Sequence, residues 1–175
     1  ESFGQDKTKT FLTHFGMHYH KFLKDIIIKV NGTKVQPIDP LFLTPGARFY
    51  DIDEQRAEVQ PPMDIEVKTK KGKGKLQVRW SIMPPGFGAK DKTKSDQENN
   101  SNPRYPIMKA TKGVIICRNG RQMDVLHNIP NTTFVNYDRN LGIEIDFSPE
   151  LDEHFSVTTS KQQITISQEM WDILT

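Results

Sequence analysis

Lys161 lies in Thr158-Thr159-Ser160-Lys161-Gln162-Gln163, a run of hydroxyl and amide side chains that carries a single charge. A lysine raised on such a turn is a mobile point charge with three donors, better suited to a phosphate oxygen than to a planar carboxylate. Ser160 and Gln162 flank it. The plainer alternative is a solvated surface lysine, since most lysines are only that.

Other residues with chemical potential fall into weaker patterns. His14 and His18 are four apart on an expected helix, but Phe15 stands where a zinc protease needs glutamate, and His20, His127 and His154 lack ligand spacing. No metal site is expected. Asp152 and Glu153 beside His154 suit the first turn of a helix and need no catalytic role. Lys68, Lys70, Lys71, Lys73, Lys75 and Arg79, with Lys90, Lys92 and Lys94, face only Asp64, Glu66 and Asp91 as local anions. A cationic hairpin of this kind, with Lys70, Lys71, Lys73 and Lys75 at its tip, suits nucleic-acid phosphates. It is also what a soluble turn looks like, and no stacking aromatics interleave it. No nucleophile elbow, phosphate-cradling glycine-lysine loop or cysteine pair occurs.

These residues need a scaffold, and 175 residues suffice for one domain with a substantial core. The net charge of +2 names no partner. Cys117 is the only cysteine and lies in an apolar run, so an internal disulfide is excluded and a buried thiol is expected. No stretch approaches the roughly twenty apolar residues of a spanning helix, and no signal peptide opens the chain. A cytoplasmic protein without membrane contact is expected. The start at Glu1, inside a polar run, suggests a fragment or processed product.

Phe11, Leu12, Phe15, Tyr19, Phe22 and Leu23 have helical spacing, predicting a first helix that ends near Lys24. Ile26–Val30 and Thr33–Val35 predict a hairpin across Asn31-Gly32. Residues 39–62 read as an extended connection. Met63, Ile65 and Val67, then Leu76, Val78, Trp80 and Ile82, alternate with polar residues, which predicts two strands with one wet and one dry face. Pro84 to Pro106 is rich in Pro, Gly, Lys, Ser and Asn and reads as a flexible insertion over 84–106. Val114–Cys117 predicts a buried strand turning at Asn119-Gly120 into Gln122–Val125, and Ile143, Ile145 and Phe147 predict another. Ser148 and Ser167 are candidate caps of two short helices. The sum is an α+β fold, a mainly antiparallel sheet with helices on one face.

The order of these segments resembles a known family. His14-Phe15-Gly16 to Leu23 is followed by Val30-Asn31-Gly32 and Pro37-Ile38-Asp39-Pro40-Leu41-Phe42. Gly113 to Arg121 comes next, then Gly142 to Pro149, and last Thr158, Lys161 and Gln162. From about Leu12 to about Ile164 this is similar to the second, transducer domain of GHKL-type ATPases, closest to the MORC-like, MutL-like and gyrase B-like branch. The resemblance implies a single transducer domain over 1–175 with a ribosomal-protein-S-five-like fold. It also implies that Lys161, with Ser160 and Gln162, reaches the terminal phosphate of ATP held by an upstream domain of the same protein. ATP and magnesium are then expected only in the full-length protein, and the isolated chain is expected to be inactive. A homodimer and DNA are the further partners the resemblance implies.

Overall fold

The computed structural model describes residues 10–70, 72–88, 102–157 and 164–174. In chain order its elements are α1 (Phe11–His18), β1 (Lys29–Val30), β2 (Thr33–Lys34), β3 (Glu58–Val59), β4 (Met63–Thr69), β5 (Gly72–Ile82) and α2 (Tyr105–Ala110). There follow β6 (Val114–Arg118), β7 (Arg121–Leu126), β8 (Asn128–Ile129), β9 (Thr132–Thr133), β10 (Leu141–Phe147), β11 (Phe155–Val157), β12 (Ile164–Ile166) and α3 (Gln168–Leu174).

Period-two patterning in β5 and β10 builds the centre of the main sheet, whose strand order is β3-β5-β10-β6-β7. β4 pairs with β5 along the same edge as β3, and Pro61-Pro62 separates the two. Among the described pairings only β10 with β6 is parallel; the rest are antiparallel, so the fold is α+β with a mainly antiparallel sheet. Both Asn-Gly hairpins form as the sequence predicts. Asn31 and Gly32 have φ of 50° and 80°, and Asn119 and Gly120 have 49° and 86°, the paired positive angles of the tight hairpin turn.

One sheet face carries the larger core. Leu76, Val78, Ile116, Ile145 and Phe147 pack there against Leu151, Phe155, Ile164, Ile166 and Met170, so the β11–β12 hairpin and α3 are its cover. Phe147 and Phe155 stack at 4.0 Å between centroids, a contact worth about 0.5–1.5 kcal/mol beyond burial. Ser167 caps α3 as expected, its hydroxyl accepting from Met170 N–H at 3.3 Å. Ser148 does otherwise: only a single 3-10 turn, Pro149–Leu151, follows it, and its hydroxyl accepts from Lys75 N–H instead.

The opposite face, expected to be wet, is covered by the chain from α1 to Thr44. Ser81 and Glu144 are fully buried there, Ser81 donating to the Leu41 carbonyl at 3.0 Å. Leu41 also closes over Ile115 and Cys117. Alternation shows which residues share a face, but a polar face can still be buried when partners elsewhere in the chain satisfy it.

α1 stops at His18, before Lys24, and hydrogen-bonded turns carry the chain on to Asp25. Its buried side is Thr13, Gly16 and Met17 rather than the aromatic stripe; Phe11 stays 58% exposed. Gly16 explains the choice. A Cβ there would meet the Gln36 carbonyl at 2.7 Å, and the Gly16 carbonyl accepts from Ile38 N–H, so the helix backbone lies directly against the segment that follows the first hairpin.

The connection after it is more ordered than expected: Asp39 accepts from Leu41 N–H, Leu43 N–H and the Thr44 hydroxyl. The expected insertion is also narrower than 84–106. Phe87 and Tyr105 are core residues at 1% exposure, and Arg104 is fully buried, donating to Phe49 O and Asp53 with its guanidinium 4.0 Å from the Phe87 ring centre. Asn102 donates to Gly86 O, which joins the two sides of the remaining insertion. Lys90, Lys92 and Lys94 lie outside the described residues.

Candidate functional site

Ser160, Lys161 and Gln162 lie outside the described residues, but both anchors of their loop are within them. Val157 and Ile164 are register partners across the antiparallel β11–β12 pair, which sets their Cα atoms about 5 Å apart. Phe155 is fully buried and Ile164 nearly so, so the hairpin is rooted in the main core. Asp124 on β7 fixes its position against the sheet: one carboxylate oxygen accepts from Ile164 N–H at 3.0 Å and the other from Val125 N–H at 2.8 Å.

The approach to this hairpin is acidic, as the sequence suggests, and its charges are engaged. Asp152 takes a two-pronged contact from Arg118 at 2.7 and 2.8 Å, the planar pairing that guanidinium and carboxylate favour. The Asp152 contact raises the Arg118 pKa above its ordinary value. Glu150 is held below the usual carboxylate range, chiefly by the Ser148 hydroxyl. His154 lies 3.3 Å from the Ser167 hydroxyl. Asp152 is taken up by Arg118, and the carboxylate near the His154 ring is Glu169, at 3.8 Å, so Asp152 serves a turn and its ion pair.

The basic hairpin is less one-sided than its composition. Lys68, Lys73 and Lys75 share a face with Glu66 and Asp64, and Lys73 pairs with Glu66 at 2.7 Å. Asp64 accepts from Gln77 at 2.8 Å. Lys70 is exposed at the turn, while Lys71 is outside the described residues. Exposed pairs of this type contribute at most about 1 kcal/mol, but the two carboxylates on that face offset part of the positive charge that a phosphate chain would meet.

Two clusters have no signal in the sequence. Under the α1 turn, Lys21 Nζ contacts Glu144 at 2.6 Å and Asp146 at 2.8 Å, while Arg79 Nε donates to the same Glu144 oxygen at 3.0 Å. Burial opposes the charge on Lys21, but Glu144 and Asp146 outweigh it and raise its pKa. The second Glu144 oxygen is buried without a hydrogen-bond partner among the described residues. At the other end of the sheet, Lys109, Lys112, His127 and Arg139 converge on one pocket of about 250 Å³. Each sits on a different corner of the chain, so no spacing rule finds them.

His14 and His18 stack at 3.9 Å between ring centres, and His18 Nδ1 lies 3.0 Å from the His14 carbonyl. Burial, then repulsion from His14, lowers the His18 pKa. Among the described residues no group of three or more His, Cys, Asp or Glu side chains could hold a metal ion, and no helix is long and apolar enough to cross a membrane. No protein-family model matches this chain, and no curated protein matches it.

Proposed function

We propose that this chain is the transducer domain of a GHKL-type ATPase, in which Lys161 senses the terminal phosphate of ATP bound by an upstream domain. One observation supports this above the others: Val157 and Ile164 are paired, and Ile164 N–H is held by Asp124. The two ends of the polar segment 158–163 are therefore held against the main sheet, where a force on them can act on the sheet. A parallel β10–β6 pair inside an otherwise antiparallel sheet, with α3 and the hairpin on one face, is compatible with the fold the resemblance implies.

Lys161 would donate a charge-assisted hydrogen bond to a phosphate oxygen, with Ser160 and Gln162 orienting the loop. ATP would supply the charged terminal group, and this chain's share is recognition and leverage. A contact of this type is worth about 1.5–3 kcal/mol, enough to bias a two-state domain orientation by about one to two orders of magnitude. The rest of the domain then converts the loop's position into movement of the upstream domain. In the full-length protein, a non-hydrolysable ATP analogue should protect the Lys161 amine from acetylation. Equal acetylation with and without the analogue would remove the assignment.

A DNA-binding module using Lys70, Lys71, Lys73 and Lys75 is the second reading. The Lys73–Glu66 pair and the carboxylate of Asp64 on the same face count against it.

A further inference from the structure

The pocket formed by Lys109, Lys112, His127 and Arg139 plays no part in the Lys161 assignment. Lys109 lies in the last turn of α2, Lys112 two residues before β6, His127 just past β7, and Arg139 two residues before β10. The described residues that line it are all basic or imidazole. The β4–β5 hairpin has more lysines, but its carboxylates are interleaved with them. Concave walls lined by one sign of charge focus the field on the space between them.

Three contacts build the pocket rather than leave it to mobile side chains. His127 Nδ1 lies 2.6 Å from the Lys112 carbonyl, which can only accept, so Nδ1 donates there, and Nε2 is left to accept from a phosphate O–H or, in the imidazolium form, to donate to a phosphate oxygen. Arg139 donates to the Tyr105 hydroxyl and lies 5.1 Å from the Tyr105 ring centre, and Tyr105 is itself buried. Gly113 has a φ of 136°, and a Cβ there would meet the Leu126 carbonyl oxygen at 2.3 Å. Only glycine lets the chain after Lys112 pass this close to Leu126 and His127. A helix end accounts for Lys109, whose charge suits the carbonyl terminus of α2, but not for the other three.

We propose that this pocket binds a phosphate group. The group would come from a free nucleotide or from a nucleic-acid backbone, whose phosphate oxyanions present the same chemistry to these donors. The proposal does not depend on Lys161 and is tested on the 175-residue chain itself.

Amide NMR of the chain titrated with inorganic pyrophosphate should show saturable shifts at Lys112, Gly113, His127, Asn128 and Arg139. The double variant Lys112→Gln/His127→Gln should weaken this binding by about tenfold or more, as expected for losing one charged hydrogen-bond donor and an imidazole contact. Lys109→Gln, at an exposed side chain, should weaken it several-fold and serves if the double variant does not fold. Lys70→Gln/Lys73→Gln should leave it unchanged. Competition then separates the sources: displacement of pyrophosphate by short duplex DNA assigns the backbone, and displacement by ATP alone assigns a nucleotide. Non-saturating shifts spread over the surface lysines, or binding unchanged in the pocket variants, would overturn the proposal.

Discussion

Lys21 Nζ stands 2.6 Å from Oε1 of Glu144, a carboxylate with no exposed side-chain surface, and 123 positions separate the two residues in the chain. This contact ties the segment that leaves α1 to the middle strand of the sheet. Arg79 shares the same oxygen, so one buried negative charge is held by two cations from different elements.

Replacing Lys21 by Met should therefore be costly, because removing one partner leaves a buried carboxylate undercompensated. The expected loss is about 3 kcal/mol, the lower end of the range for such breaks, since Arg79 remains. Thermal or urea unfolding measures it. Adding Glu144→Gln to Lys21→Met should recover much of the loss, and an additive pair would show that the contact carries no coupling.

Asp39 gives the acid limb of stability a definite sign. Burial alone would raise its carboxyl, but the His20 imidazole 3.9 Å away, the Thr44 hydroxyl, Arg79 and the Leu41 N–H together hold it below the ordinary value. Its stabilising effect is fully present above about pH 4, the unfolded range, and is lost as pH falls through the lower folded value. Urea midpoints across this window should fall less steeply for Asp39→Asn than for the unmodified chain. Parallel curves would contradict the assignment.

Cys117 is fully buried, and desolvation, followed by the neighbouring Glu144 charge, pushes its thiol well above the usual range. Thiolate is the reactive form. The native chain should therefore resist a disulfide-exchange reagent and react only on opening, so that Lys21→Met, by loosening the cover over this face, accelerates labelling. Rapid labelling of the folded, unmodified chain would contradict the burial described.

Asp124 offers a test of the loop anchor that does not touch Lys161. Asp124→Ala leaves the Ile164 N–H without its acceptor and should cost about 1–3 kcal/mol. On the proposed transducer role it should also lower ATP turnover of the full-length protein by displacing the hairpin, and Asp124→Asn, which keeps an acceptor oxygen, should restore part of both. A stability loss with unchanged turnover would separate the anchor from function.

How much of this was legible in the sequence follows the range of the forces involved. The Asn31-Gly32 and Asn119-Gly120 turns, the alternating strands of β4, β5 and β10, and the Ser167 cap are set by neighbours in the chain, and all could be read from it. The wet face of β5 and β10 could not, because Ser81 and Glu144 are buried by the strap from α1 to Thr44. The aromatic stripe of Phe11, Phe15, Tyr19 and Phe22 misled because Gly16, not an aromatic, faces the close approach of Gln36. Phe87, Arg104 and Tyr105 were hidden in polar, low-complexity surroundings, where burial depends on partners such as Phe49 and Asp53. The Lys109, Lys112, His127 and Arg139 pocket is assembled from four corners and has no linear signature.

On the proposed transducer role, Lys161 acts on a nucleotide held elsewhere in the same protein. The most direct test of that role is the steady-state ATP turnover of the full-length protein with Lys161→Ala, alongside Lys73→Ala as a charge-matched control. The transducer assignment predicts a loss of about tenfold or more for Lys161→Ala, the equivalent of one charged hydrogen bond, with unchanged unfolding temperature and near-normal turnover for Lys73→Ala. Turnover unchanged by Lys161→Ala would contradict it.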